Sequence, residues 1–149
     1  MVNRSYLKGY RLENKVRLIL EYNGWHVARK HASKGIEDLI AIKKGKQPLL
    51  IQCKDTKLGE KSMSVHELEV FRLHSVEYGA APIFCYKKNT KIYYKDVESN
   101  KFLNFKPYTE KWLNDRRKYK NLLKEEKSAT ERLKLIVKYH KKLHHIICY

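Results

Sequence analysis

The sequence predicts a mixed α/β domain built on a central sheet. Three observations carry that reading. Short apolar runs alternate with helical stretches in the order α-β-β-β-α-β-β up to about residue 105. Two pairs of those runs are separated by turn-forming residues, as in hairpins. The first helical stretch repeats its apolar residues at helical spacing.

The first helix is expected from residue 5 to about 23. Leu12, Val16, Ile19 and Leu20 recur at i, i+4, i+7 and i+8, and Asn23-Gly24 supplies the stop. Trp25 to Arg29 reads as a short strand, and His31 to Gly35, small and polar, as a loop. Asp38 to Ile42 (DLIAI) reads as a buried strand. Lys43-Lys44-Gly45-Lys46 is a turn, Pro48 opens the next run, and Leu49 to Lys54 (LLIQCK) completes a hairpin. A polar loop follows from Asp55 to Ser62. Val65 to Tyr78 is helical, with Leu68, Phe71, Leu73 and Val76 among its apolar residues, and Gly79 ends it. Ala81 to Tyr86 and Lys91 to Lys95 form a second strand pair around Asn89-Thr90.

After residue 105 the composition changes. Residues 106–149 hold 13 Lys and Arg against five Asp and Glu. Two helices are expected there, one from Thr109 to Lys127. The other starts at Ser128-Ala129-Thr130-Glu131, which has capping-box spacing, and carries Leu133, Ile136, Val137, Leu143 and Ile147. The domain reading is a core over 1–105 and a basic helical extension over 106–149 packed on the same domain.

A chain of 149 residues suits one sizeable core. It is 42 % apolar, 33 % charged and carries a formal charge of +17. That excess argues for a polyanionic partner, nucleic acid before anionic membrane. No run approaches the roughly 20 apolar residues that span a bilayer, and the first 15 residues lack the apolar core of a secretory signal. Cys53, Cys85 and Cys148 are far apart and odd in number, so neither a disulfide framework nor a cysteine zinc site is expected, and a reducing cell interior fits. With no Gly-rich phosphate loop, no nucleotide cofactor is expected.

The chemistry gathers at Asp38 and at Gln52-Cys53-Lys54. Residues two apart on a strand share a face, so Gln52 and Lys54 point together while Ile51 and Cys53 face the other way. With Asp38 opening the hairpin partner, a carboxylate, an amide oxygen and an ammonium converge at a strand end. Phosphodiester hydrolysis uses such a set: hard oxygens for Mg2+, with Mn2+ as a substitute, and a cation beside the reacting phosphate. Glu13 lies about 20° from Leu20 on the helical wheel, at the edge of the apolar arc, and is placed to add a second carboxylate. The bland alternative is an Asp at a strand start and a solvated Lys at a strand end.

The order and wording of the segments go further. Lys8-Gly9-Tyr10-Arg11-Leu12-Glu13, Gly24-Trp25-His26-Val27-Ala28-Arg29, Ser33-Lys34-Gly35-Ile36-Glu37-Asp38-Leu39-Ile40-Ala41, Leu50-Ile51-Gln52-Cys53-Lys54, and Phe71 through Tyr78-Gly79-Ala80-Ala81-Pro82 follow one another along roughly residues 5–100. Together they resemble the archaeal-type Holliday junction resolvases, found also in viruses and phages, of the PD-(D/E)XK nuclease superfamily. The resemblance implies a restriction-endonuclease-like fold. It implies a homodimer with two active sites on the two cleaved strands of branched DNA, acting inside a cell, the host cell if the protein is virus-encoded. It places Glu13, Asp38 and Gln52 at metal-ligand positions, Lys54 at the catalytic-lysine position, and Ser33 on the loop that approaches the scissile strand. Three departures stand out. Gln52 replaces the usual Glu, one extra residue lies between Ser33 and Asp38, and the basic tail has no counterpart in short members. The extra residue makes Glu37 a competitor for the ligand position; Asp38 is preferred because DLIA then keeps its alignment.

Lys8, Arg11, Arg29, Lys30 and Lys34 are expected phosphate contacts, with Arg4 beside them. The tail is read as a DNA clamp, a dimer-forming pair or a packing element. His140, His144 and His145 include an i, i+4 pair but no intervening Glu, so surface or packing histidines are expected. Phe71, Val76 and the tail apolars are the dimer-interface candidates. Other readings are a restriction or repair nuclease on other DNA, and a non-catalytic DNA-binding module in which Gln52 marks a decayed site.

Overall fold

The computed structural model describes residues 3–30, 36–140 and 143. They form two compact units, Met1–Arg17 with Val27–Asn104, and Leu18–His26 with Phe105–Tyr149. The first unit is a six-stranded sheet with strands in the order β1-β2-β3-β4-β5-β6. The strands are β1 (His26–Arg29), β2 (Leu39–Ile42), β3 (Leu49–Lys54), β4 (Ala81–Lys88), β5 (Lys91–Asp96) and β6 (Lys101–Leu103). β2 and β3 pair antiparallel with Leu39 opposite Ile51, as the hairpin reading expects. β3 and β4 run parallel, from Leu49 opposite Ala81 to Lys54 opposite Tyr86. A parallel pair needs a crossover, and α2 (Val65–Glu77) supplies it. A 3-10 turn over Gly59–Ser62 and the three-residue β6 are elements too short to leave a sequence period.

β3 is buried on both faces, which is why LLIQCK reads as a nearly continuous apolar run. On one face Leu50 joins Met63, Phe71, Ala80, Phe84 and Tyr86 in a core cluster. On the other, Leu49, Ile51 and Cys53 are equally buried. α2 starts at Ser64, whose hydroxyl accepts from the Glu67 N–H. It ends at Gly79, whose φ of +68° lets the Ala80 N–H reach back to the Ser75 carbonyl. Phe71 is fully buried in the core cluster, so it is no interface residue. Leu73 and Val76 of the same helix are about half exposed.

The second unit joins the last turn of α1 (Arg4–Tyr22) to α3 (Glu110–Glu125) and α4 (Ala129–His140). Leu18, Trp112, Tyr119, Tyr139 and Leu143 form its core, with Tyr22 edge-on to Trp112 at 5.4 Å. The Asn23 side chain accepts from the Lys106 N–H and donates to its carbonyl at 3.1 and 2.9 Å, and Arg116 pairs with Glu21 at 2.8 Å. Ser128 Oγ accepts from the Glu131 N–H, the contact its capping spacing predicts. Leu133 and Val137, among the tail apolars read as dimer-interface candidates, are exposed. Among the described residues no helix is long and apolar enough to cross a membrane.

Candidate active site

Asp38 is fixed by three backbone-level contacts at the start of β2. Its N–H donates to the Ile51 carbonyl at 2.7 Å, and its carbonyl accepts from the Lys30 N–H at 3.0 Å. Its Oδ2 accepts from the Cys53 N–H at 2.8 Å, which ties the carboxylate to β3 between Gln52 and Lys54. Burial pushes its pKa up, against the pull of the Cys53 N–H and of the Lys54 and Arg29 charges. Glu13 lies close enough that burial and the Asp38 charge push it up as well, while Arg29 pulls it down. The Arg29 guanidinium sits 2.9 Å from Glu13 Oε2 and 4.2 Å over the Tyr10 ring. Asp38 thus exerts a charge effect on Glu13 and feels that of Lys54.

Gln52 and Lys54 line one cleft of about 330 Å3 together with Met63, His66, Glu67 and Val70 from the start of α2 and just before it. The Oε1 of Gln52 is buried with no hydrogen-bond partner among the described residues. A buried acceptor without a donor costs about 1–3 kcal/mol, unless a cation or its water fills the gap. The Cys53 thiol, on the opposite face, is free, hydrogen-bonded to the Cys85 thiol and buried, so its pKa is raised and it offers no thiolate ligand. Among the described residues no three His, Cys, Asp or Glu side chains are grouped to hold a metal. The oxygen donors of Glu13, Asp38 and Gln52 match the hard-ligand chemistry of Mg2+ or Mn2+.

Glu37 is otherwise engaged. Its side chain is buried between Lys30 and His74, each at 3.0 Å. Burial alone would raise its pKa, but the Lys30 bond and charge and the His74 charge leave it lowered. The acid next door to Asp38 is therefore an ion-pair anchor. Lys30 is committed to that anchor and Arg29 to Glu13. Lys8 and Arg11 line a second cleft with Lys15, Asp55 and Lys87. Ser33 and Lys34, like His144 and His145, lie outside the described residues. Lys15, Lys87, His66 and Glu67 are additions that sequence spacing alone did not single out.

The raised carboxylates have a consequence for stability. An acid with a raised folded-state pKa favours the folded chain while protonated, so the contribution is full below the ordinary carboxylate range and is lost as pH rises through the raised values. Without metal, Glu13 and Asp38 should therefore lower stability toward neutral pH. Thermal unfolding against pH is expected to show Mn2+ raising Tm at pH 7.5 and leaving it unchanged at pH 4. Equal stabilisation at both would mean that the cation binds elsewhere.

A mixed sheet that brings an acid, an amide and a lysine to adjoining strand ends has the build of a phosphodiester nuclease. The family model of the archaeal Holliday junction resolvases matches residues 4–112, and the chain belongs to that family. A solved structure of a Holliday junction resolvase from the archaeal hyperthermophile Archaeoglobus fulgidus is similar in fold. It is 24 % identical, covers 61 % of this chain and 74 % of that one, and gives a TM-score of 0.51. Among curated proteins, none matches the chain. The protein is accordingly a structure-selective endonuclease that resolves DNA junctions, of a kind that depends on divalent metal. The family match extends to Trp112, into the first turn of α3, beyond the 5–100 span of the sequence resemblance.

Proposed function

We propose that this resolvase cuts four-way junctions as a Mg2+-dependent homodimer, with Glu13, Asp38 and Gln52 as the cation ligands. The Oε1 of Gln52, buried and unpartnered among the described residues, next to a half-buried Asp38, carries the reading. The bound cation would supply Lewis-acid polarisation of the scissile phosphate. The Cys53 N–H orients the Asp38 carboxylate and leaves Oδ1 for a ligand. Lys54, on the same strand face as Gln52, holds the attacking water near phosphorus and offsets charge that builds on the phosphoryl oxygens. Arg29 restrains the Glu13 carboxylate through their 2.9 Å ion pair. Lys8 and Arg11, with Lys15 and Lys87, seat the DNA backbone, so recognition follows junction shape more than base identity.

The dimer reading rests on α2, where Val65, Leu73, Val76 and Tyr78 expose apolar surface. Charging it should separate the subunits. Leu73→Glu/Val76→Glu is expected to sediment as a monomer and to bind a four-way junction at least about tenfold more weakly. A dimer of unchanged affinity would remove α2 from the interface. The function itself is tested on a labelled four-way junction and a linear duplex of the same sequence. Paired nicks near the branch with Mg2+, and none with EDTA, are expected. Equal cutting of linear duplex would overturn the junction selectivity.

A further inference from the structure

Two basic clefts open on opposite faces of the sheet. In the β4–β5 pair Tyr86 stands opposite Tyr93 and Lys87 opposite Ile92, so the two pairs belong to opposite faces. Ile92 borders the cleft of Lys8, Arg11 and Lys15. Tyr86 and Tyr93, stacked at 5.3 Å, border another cleft of about 480 Å3, between the 56–61 loop and the β4–β5 turn. Lys57, Lys61, Lys87 and Lys88 border this second cleft, and the one acid there, Glu60, is paired with Lys95 at 2.8 Å. Lys57, Lys61 and Lys88 are exposed and form no ion pair among the described residues.

The loop braces itself. Thr56 Oγ1 and Ser62 Oγ share a hydrogen bond at 2.6 Å, the Leu58 N–H donates to Thr56 Oγ1 at 3.2 Å, and the Ser62 hydroxyl donates to the Gly59 carbonyl. The Glu60–Lys95 pair ties the loop to β5. A seat held this way loses little freedom on binding. It also adjoins the candidate active site. Lys54, Tyr86 and Tyr93 stand side by side across β3, β4 and β5 on one face. Neighbouring strands lie about 4.8 Å apart, so the cleft begins one strand away from Lys54.

We infer that this second cleft seats the phosphate backbone of a second arm of the branched DNA, while the Lys8 and Arg11 cleft seats the first. The inference rests on the junction reading above. Exposed ammonium groups without an acid partner attract phosphate and carry no base preference. A straight duplex lying along one face of the sheet turns its backbone away from the other. Two arms that diverge from a branch point present a backbone to each. Selectivity for branched DNA then comes from filling both clefts at once, because the second contact is intramolecular once the first is made.

Lys57→Gln/Lys61→Gln/Lys88→Gln removes three charges from exposed positions, and thermal unfolding serves as the folding control. Binding is read by gel shift in EDTA on a four-way junction and on a linear duplex of the same sequence. The triple variant is expected to bind the junction about tenfold or more weakly, with the slope of log K against log salt shallower by about two to three. Its duplex affinity should stay within about twofold. Lys8→Gln/Arg11→Gln is expected to weaken binding to both DNAs. Equal loss on junction and duplex would put both clefts on a single duplex, the β4–β5 turn lying in its groove, and would overturn the proposal. Unchanged junction binding would overturn it too, leaving the three lysines merely solvated. The two levels fail separately. An unaltered chain with no preference for the junction removes the junction reading and this proposal with it. A preference that persists in full in the triple variant removes only the role of the cleft.

Discussion

Lys54→Ala is expected to slow junction cleavage by about a hundredfold or more while leaving junction binding within about threefold. The ammonium stands at the end of β3 on the face shared with Gln52, and its charge pulls the Asp38 pKa down. On the proposed reading, removing it takes away the cation beside the scissile phosphate. It also removes one of the charges that keep Asp38 ionised, so the remaining activity should need a higher pH. Single-turnover cleavage across pH, beside a gel-shift titration on the same junction, checks both. Loss of binding equal to the loss of cleavage would make Lys54 a DNA contact instead of a participant in the chemistry.

Asp38→Asn should part function from stability. The amide oxygen can still accept from the Cys53 N–H, and the buried charge that raises the Asp38 pKa is gone. Cleavage and Mn2+ affinity are each expected to fall by about two orders of magnitude or more, while metal-free Tm at neutral pH holds or rises. Asp38→Ala differs, because it orphans a buried N–H at about 1–3 kcal/mol. A Tm for Asp38→Asn as low as that of Asp38→Ala would mean that the carboxylate is primarily structural. Parallel denaturation and cleavage series on the two variants decide it.

Much of this was legible before any coordinates. Turn residues placed both hairpins, the 3.6-residue period placed α1, the Gly79 stop marked the end of α2, and strand alternation put Gln52 and Lys54 on one face. What stayed hidden depended on three-dimensional neighbours. The period of α1 marks an apolar arc but cannot tell that Leu12 and Val16 fall in one unit and Leu18 in another. The α2 apolars read as one set, although Phe71 is core and Val76 exposed. Glu37 and Asp38 are chemically interchangeable as text; only the Lys30 and His74 partners on one and the Cys53 N–H on the other distinguish them. Glu67 carries an ordinary capping spacing, which masks its place in the cleft.

The anchoring of Asp38 bears on how such a chain tolerates insertions and deletions. Ile51, Cys53 and Lys30 fix that residue through main-chain bonds, so its position is set by strand register and not by counting from Arg29. The stretch between Lys30 and Ile36 can then gain or lose a residue without displacing the acid. The extra residue between Ser33 and Asp38 is the kind of length change this arrangement absorbs. A length change there leaves the register of the acid in place.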